Sequence, residues 1–257
     1  MHFLHTFYII KLCKLIGVKL LICKLADIIV DFVNPSQDMQ SFLSGYSYNG
    51  TPQFSVSVSP QDIEASRNTL SVTVSHLQGE IAAFLKKLLS VVPDYDAFLL
   101  HSALIDVNGT GVAFAALSGT GKTTHLLLWK QLLGDSIRVI NGDKPIIRFF
   151  DNIPYGFGTP WNGKENLGEN AKTPIKHLCF IERSAKNRCT KITAEDCLKK
   201  IFSQVFLPND PIVATKILNL LDCFLKSVTI WKIECNTDIS AAATAYNAIF
   251  KGEHNET

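Results

Sequence analysis

The most constraining stretch of this 257-residue chain lies between residues 112 and 134. There the apolar run Val112-Ala-Phe-Ala-Ala-Leu enters Ser118-Gly-Thr-Gly-Lys-Thr-Thr. It continues as His125-Leu-Leu-Leu-Trp-Lys-Gln-Leu-Leu, which Gly134 closes. The first run reads as a strand and the last as a helix, so strand, glycine-rich loop and helix N-terminus follow one another without a spacer. Glycines let successive backbone N–H groups turn toward one point, and the helix adds the positive end of its dipole. In a phosphate-binding loop of this kind Ser118, Gly119, Thr120, Gly121, Lys122, Thr123 and Thr124 bind nucleotide. Lys122 meets the β- and γ-phosphates, and the Thr123 hydroxyl meets a magnesium ion. The full spacing G-x-x-x-x-G-K-[ST] fails at its first position, where Ala116 stands, so the match is to the core of the motif. The bland alternative is a Gly/Ser/Thr loop that merely turns the chain; the flanking strand and helix weigh against it.

A metal-holding carboxylate is expected at the end of an apolar strand. Ile137-Arg-Val-Ile followed by Asn141-Gly-Asp supplies Asp143, twenty residues beyond Thr123. A solvated turn residue is the other reading of Asp143. No apolar run ending in Asp-Glu follows, and no Asn-Lys-x-Asp guanine-reading motif occurs, which argues against motor ATPases and GTPase switches.

Composition narrows the partners. Twenty-five basic against twenty-three acidic residues leave a net charge of +2, too near balance to mark a nucleic-acid-binding chain. Seven scattered cysteines, with no Cys-x-x-Cys pair, read most simply as reduced thiols in a cytoplasmic protein. The apolar first thirty residues are interrupted by Lys11, Lys14, Lys19 and Lys24, so no membrane span is expected. They read as strand-forming core material, with an interfacial amphipathic helix as the rival. Phe54-Ser-Val-Ser-Val-Ser alternates like a half-buried strand, Ser59-Pro60 opens a helix, and apolar spacing predicts a helix from His76 to Val92. Further on, Phe98–Val107 reads as a strand joined to the next by an Asn108-Gly turn, Ile175–Arg183 as a core strand, and helices start near Ala194, Pro211 and Ala241. The division expected is a small α+β region over 1–94, free of chemical motifs, and a nucleotide-binding domain over 95–257.

Four segments in order, His101-Ser-Ala-Leu-Ile, Leu117-Ser-Gly-Thr-Gly-Lys-Thr-Thr-His, Asn141-Gly-Asp-Lys-Pro-Ile-Ile-Arg and Gly158-Thr-Pro-Trp-Asn-Gly-Lys, together resemble the C-terminal domain of HPr kinase/phosphorylase. More closely they resemble its stand-alone bacterial relatives, which include kinases found with modified-peptide gene clusters. The resemblance covers roughly residues 95–250. It implies an α/β (α+β) fold: a phosphoenolpyruvate carboxykinase-like nucleotide-binding core with a mixed sheet, in which a hairpin feeds the phosphate loop. It also implies ATP and Mg2+ as cofactors and phosphoryl transfer to a hydroxyl, most simply serine, of a peptide, protein or small molecule. Self-association is a further implication.

Carried over by position, Lys122, Asp143 and His101 are the catalytic candidates, and Thr123 and Asp143 the metal ligands. His101 either hydrogen-bonds Asp143 or is a satisfied core histidine. Gly158, Thr159, Pro160, Trp161, Gly163 and Lys164 form a candidate acceptor loop in which an exposed Trp161 packs on the acceptor; a structural turn with Trp161 buried is the alternative. His125 reads as a surface residue at the helix start, with a contact to nucleotide as the alternative. Glu182 and Arg183 read as a salt-bridged strand end, with a place in the site as the alternative. One departure stands out: Gly142 occupies the place of the family's first aspartate. Either Asp143 serves as both base and metal ligand, or the chain is a non-catalytic nucleotide-binding module.

Overall fold

The computed structural model describes residues 19–69, 74–117 and 119–252. They fall into two compact units that divide between Val92 and Pro93. In the first, β1 (Leu20–Leu25) and β2 (Ile28–Val33) make an antiparallel hairpin, and β3 (Phe54–Ser57) joins β2 in parallel. The two-residue turn places Ala26 and Asp27 at φ 52° and 58°, a geometry whose twist matches that of the strands it connects. Strand structure expected in the first thirty residues is thus present from Leu20; residues 1–18 lie outside the described part. Three helices accompany the sheet: α1 (Gln37–Leu43), α2 (Pro60–Asn68) and α3 (His76–Leu89). Ser59 caps α2 with Pro60 in its first turn, as the sequence predicts, and Asp62 completes a reciprocal capping box. The helical spacing through Val92 overshoots the end of α3. Ser90 and Val91 bond back to the carbonyls of Lys87 and Leu88, so the last turn tightens and stops.

One buried charge in this unit makes a stability prediction. Asp31 in β2 is 4% exposed; Ser55 Oγ donates to its Oδ2 at 3.4 Å, and Oδ1 has no partner among the described residues. Burial raises its carboxyl above the usual value, and the Ser55 hydrogen bond only partly opposes this. A raised carboxyl makes the fold most stable when protonated, and stability falls as pH rises through the unfolded value of 3.8 toward the folded one. Asp31→Asn removes that penalty, and urea unfolding at pH 7 should show a gain of about 1 kcal/mol that vanishes near pH 3.

The second unit is a mixed nine-stranded sheet. Its strands are β4 (Ala97–Leu99), β5 (Ser102–Val107), β6 (Thr110–Ala115), β7 (Ile137–Asn141), β8 (Ile146–Phe150), β9 (Ile153–Phe157), β10 (Lys172–Arg183), β11 (Arg188–Lys191) and β12 (Thr229–Cys235). β10 is the hub. Its first residues pair antiparallel with β9, and the rest runs parallel to β6 on one side and β12 on the other. Alternation along the strands divides two cores. Val112, Phe114, Cys179, Ile181, Trp231 and Ile233 face α4 (Lys122–Leu133) and α7 (Ile239–Tyr246), whereas Ala113, Ala115, Leu178, Phe180 and Ile230 face α5 (Ala194–Phe202) and α6 (Pro211–Ser227). The fold is therefore mixed α/β, with helices on both faces of the sheet.

Two details of this sheet bear on the site. The strand predicted over Phe98–Val107 is broken: Leu100 leaves it to bridge Val205, and its N–H bonds to Pro145 O, so His101 sits at a junction between β4 and β5. β6, β10 and β12, being parallel, also end at the same edge, at Ala115, Arg183 and Cys235. In open α/β sheets the carboxyl ends of parallel strands are where ligands bind, because the loops there diverge and leave a crevice.

Candidate functional site

The glycine-rich loop leaves β6 at that edge. Gly119 and Gly121 hold φ of 77° and 122°, which side chains with a Cβ rarely adopt, so glycine is what lets the chain turn here. Ser118 lies outside the described residues. α4 begins at Lys122 directly after Gly121; no side chain caps it, and its first turn holds no acidic residue. Among the described residues no side-chain cap or first-turn carboxylate compensates its leading N–H groups and dipole, the arrangement that favours an anion. Arg183, at the end of β10, reaches across and donates to the carbonyl oxygens of Thr120, at 3.2 Å, and Gly119. Glu182 beside it pairs with Lys200 and, at 3.4 Å, with Lys232. The salt-bridged strand end thus belongs to Glu182, while Arg183 clamps the loop.

Lys122, His101 and Asp143 meet. Lys122 Nζ lies 3.1 Å from His101 Nε2 and donates to Ala116 O at 3.1 Å. The same Nε2 lies 3.0 Å from Asp143 Oδ1. One ring nitrogen can accept from the ammonium or donate to the carboxylate, but not both at once. Burial lowers the Lys122 ammonium below its ordinary value, opposed by the nearby Asp143 carboxylate. Burial alone would push the Asp143 carboxyl up, but hydrogen bonds from His101 and Lys144, with the Lys144 charge, hold it at about 2. At that value Asp143 is ionised through the physiological range and is a weak proton acceptor, better suited to holding a cation than to drawing a proton from a hydroxyl.

Asn141 organises the turn that carries Asp143. Fully buried at the end of β7, its Oδ1 accepts from the N–H groups of Asp143 (2.9 Å) and Lys144 (2.7 Å). Its Nδ2 donates to Thr159 O and Thr159 Oγ1, each at 3.1 Å, and the Thr159 hydroxyl donates to Lys144 O at 2.7 Å. The Asn141-Gly-Asp-Lys turn and the Gly158–Lys164 loop are thereby one hydrogen-bonded unit. Gly142 belongs to it for a steric reason: a Cβ there would lie 2.7 Å from Asn162 O and 3.1 Å from Leu167 O. The space a side chain at position 142 would need is filled by backbone. Gly142→Ala should therefore cost about 2 kcal/mol in chemical denaturation, and Gly142→Asp more. An unchanged midpoint would show that the loop yields freely.

Beside the loop lies a cleft of about 480 Å³, lined by Thr120, Gly121 and Thr124, by Arg183, Ser184 and Ala185 after β10, and by Asn236 and Thr237 after β12. His125, Ile181 and Cys235 complete its lining, so the cleft is walled by the loop, the start of α4 and the ends of β10 and β12. For a metal, no group of three or more His, Cys, Asp or Glu side chains is placed to hold an ion among the described residues. The Asp143 carboxylate is too little for an all-protein cage, and the Thr123 hydroxyl, one residue into α4, is the second oxygen the motif would offer. They suit Mg2+, which keeps waters and takes one or two protein oxygens plus phosphate oxygens from its substrate.

Two expectations are corrected. His125 is 2% exposed, not a surface residue: Trp129 Nε1 donates to its Nε2 at 3.0 Å, and burial holds its imidazole down at about 4. It is a neutral core histidine on the buried face of α4. Trp161 is 6% exposed and so is buried rather than open to an acceptor, in a loop whose Thr159 is tied to Asn141. Gly163 packs beside Asp143, and Lys164 is exposed. Sequence reading also passed over Asn141 and the loops after β10 and β12. The Asn-x-Asp spacing, which favours a side chain bonding its own backbone two residues on, was a usable signal for Asn141.

No protein-family model matches this chain, and no curated protein matches it in sequence. Among solved structures, the HPr(Ser) kinase/phosphatase from Coxiella burnetii aligns with 11% identity over 61% of this chain and 93% of its own, with a TM-score of 0.33.

Proposed function

We propose that the chain is an ATP-dependent kinase that transfers the γ-phosphoryl group to a hydroxyl, most simply serine, of a peptide, protein or small molecule. The observation that carries this reading is the meeting of Lys122, His101 and Asp143 beside the uncapped start of α4. In this reading the N–H groups of the loop and of α4 cradle the phosphates and Lys122 turns from His101 to the β- and γ-oxygens. The nucleoside lies in the cleft between the loop and the ends of β10 and β12. Asp143 and Thr123 would hold Mg2+, which when bound would neutralise phosphate charge. The acceptor oxygen forms a bond to the γ-phosphorus as the bond to the bridging β–γ oxygen breaks and ADP leaves. The hydroxyl proton passes late to the Asp143 carboxylate and from there to solvent water, as a loose transition state permits, so the weak basicity of Asp143 is no obstacle. With Lys122 drawn to phosphate, His101 Nε2 is left to donate to Asp143.

A second reading, a non-catalytic nucleotide-binding module, is supported by the backbone packed over Gly142 and by the Lys144 ion pair on Asp143. Incubation with Mg2+ and γ-labelled ATP, with and without serine-containing peptides, separates the two. Label on an acceptor that is lost in Asp143→Asn supports the kinase; ATP binding with no transfer and no hydrolysis supports the module.

A further inference from the structure

The β5–β6 ladder ends one rung short of the site. Its last pair at that end is Ser102 with Ala115, so the next rung would set His101 opposite Ala116. These residues begin the two arms of the site: His101 carries the imidazole, and Ala116 O accepts from Lys122 Nζ. At this rung a third residue enters. Gln204, just beyond α5 and 4% exposed, accepts from His101 N–H through its own carbonyl at 2.7 Å. One end of its side-chain amide lies 3.0 Å from both His101 O and Ala116 O. Two carbonyl oxygens can only accept, so that end is the NH2 group, with both hydrogens used, while the amide oxygen faces Ser203 Oγ at 2.7 Å.

We propose that Gln204 is a positioning residue that sets the spacing between His101 and Lys122. A single planar amide bridging both carbonyls fixes the distance between the strand ends where backbone pairing no longer does. Because Ala116 O accepts from Gln204 and Lys122 together, the amide also fixes the anchor from which Lys122 leaves to meet a phosphate. The spacing is a property of the free protein; its effect on nucleotide rests on the phosphate-loop reading above.

Two measurements on the full chain test this independently. Competitive acetylation read by mass spectrometry reports how tightly Lys122 is held, with Lys130 on the same helix as internal reference. In Gln204→Met, which keeps the length and loses the donors, Lys122 should label about threefold or more faster relative to Lys130. Titration calorimetry with MgATP should show affinity about tenfold weaker. Gln204→Asn, which keeps the amide but falls one methylene short, should give a smaller change of the same sign in both. Wild-type labelling of Lys122 in either folded variant overturns the proposal, as does faster labelling of Lys122 and Lys130 alike, which would mean general loosening. Faster labelling of Lys122 with unchanged MgATP affinity overturns the link to nucleotide. If the wild-type protein itself binds no MgATP, the phosphate-loop reading fails, and labelling alone decides the role of Gln204.

Discussion

Lys122→Ala should weaken MgATP binding by about 100-fold while leaving the thermal midpoint unchanged or slightly raised. The loss follows from what Lys122 would contribute to an anion: a partly buried ammonium held by Ala116 O and His101. Hydrogen bonds between charged partners are each worth about 1.5–3 kcal/mol, so one lysine on two phosphates accounts for two orders of magnitude. The stability side has the opposite sign. Burial lowers the Lys122 ammonium, which means that the fold is strained by the charged form and gains stability as pH rises through the folded value toward 10.5. Removing the amine removes that strain and its pH dependence. A structural lysine would behave the other way, its loss lowering the midpoint together with any binding.

Asp143→Asn should reduce phosphoryl transfer by about 100- to 1,000-fold, through the metal rather than through the nucleotide. Affinity for ATP without Mg2+ should stay near wild type, and the stimulation by Mg2+ should be lost. Lys122→Ala, by contrast, weakens binding with and without the metal. Asp143 also gives a pH signature. Its carboxyl is held at about 2 against 3.8 unfolded, so the stability it contributes is present above pH 3.8 and is lost as pH falls toward 2. In Asp143→Asn that acid limb should flatten, because no proton is taken up there. Transfer that persists at wild-type rate in Asp143→Asn would remove this residue from the chemistry.

Where local chemistry decides structure, the sequence was easy to read. Ser59-Pro60 announced α2, Asn108-Gly109 the β5–β6 hairpin, and the apolar run before Gly119 the strand that feeds the loop. Long-range packing was harder. His125 follows a polar loop and looks exposed, but Phe114 and Trp129 close around it from β6 and α4. Trp161 stands among glycines and a proline, the signature of an open loop, and is nonetheless buried in a loop that Asn141 ties, through Thr159, to the turn of Asp143. Gly142 read as a missing aspartate; only the folded loop reveals backbone packed in its place. Gln204 has no motif at all, because its role comes from the sheet edge it meets and not from its neighbours in sequence.

The most direct measurement is calorimetric titration of MgATP into the wild-type protein and into Lys122→Ala, both checked for folding by circular dichroism. One nucleotide bound per chain, with affinity falling about 100-fold in the variant, is the result expected of a phosphate site at Lys122. Absence of binding to the wild type, or equal binding to a folded Lys122→Ala, would contradict it.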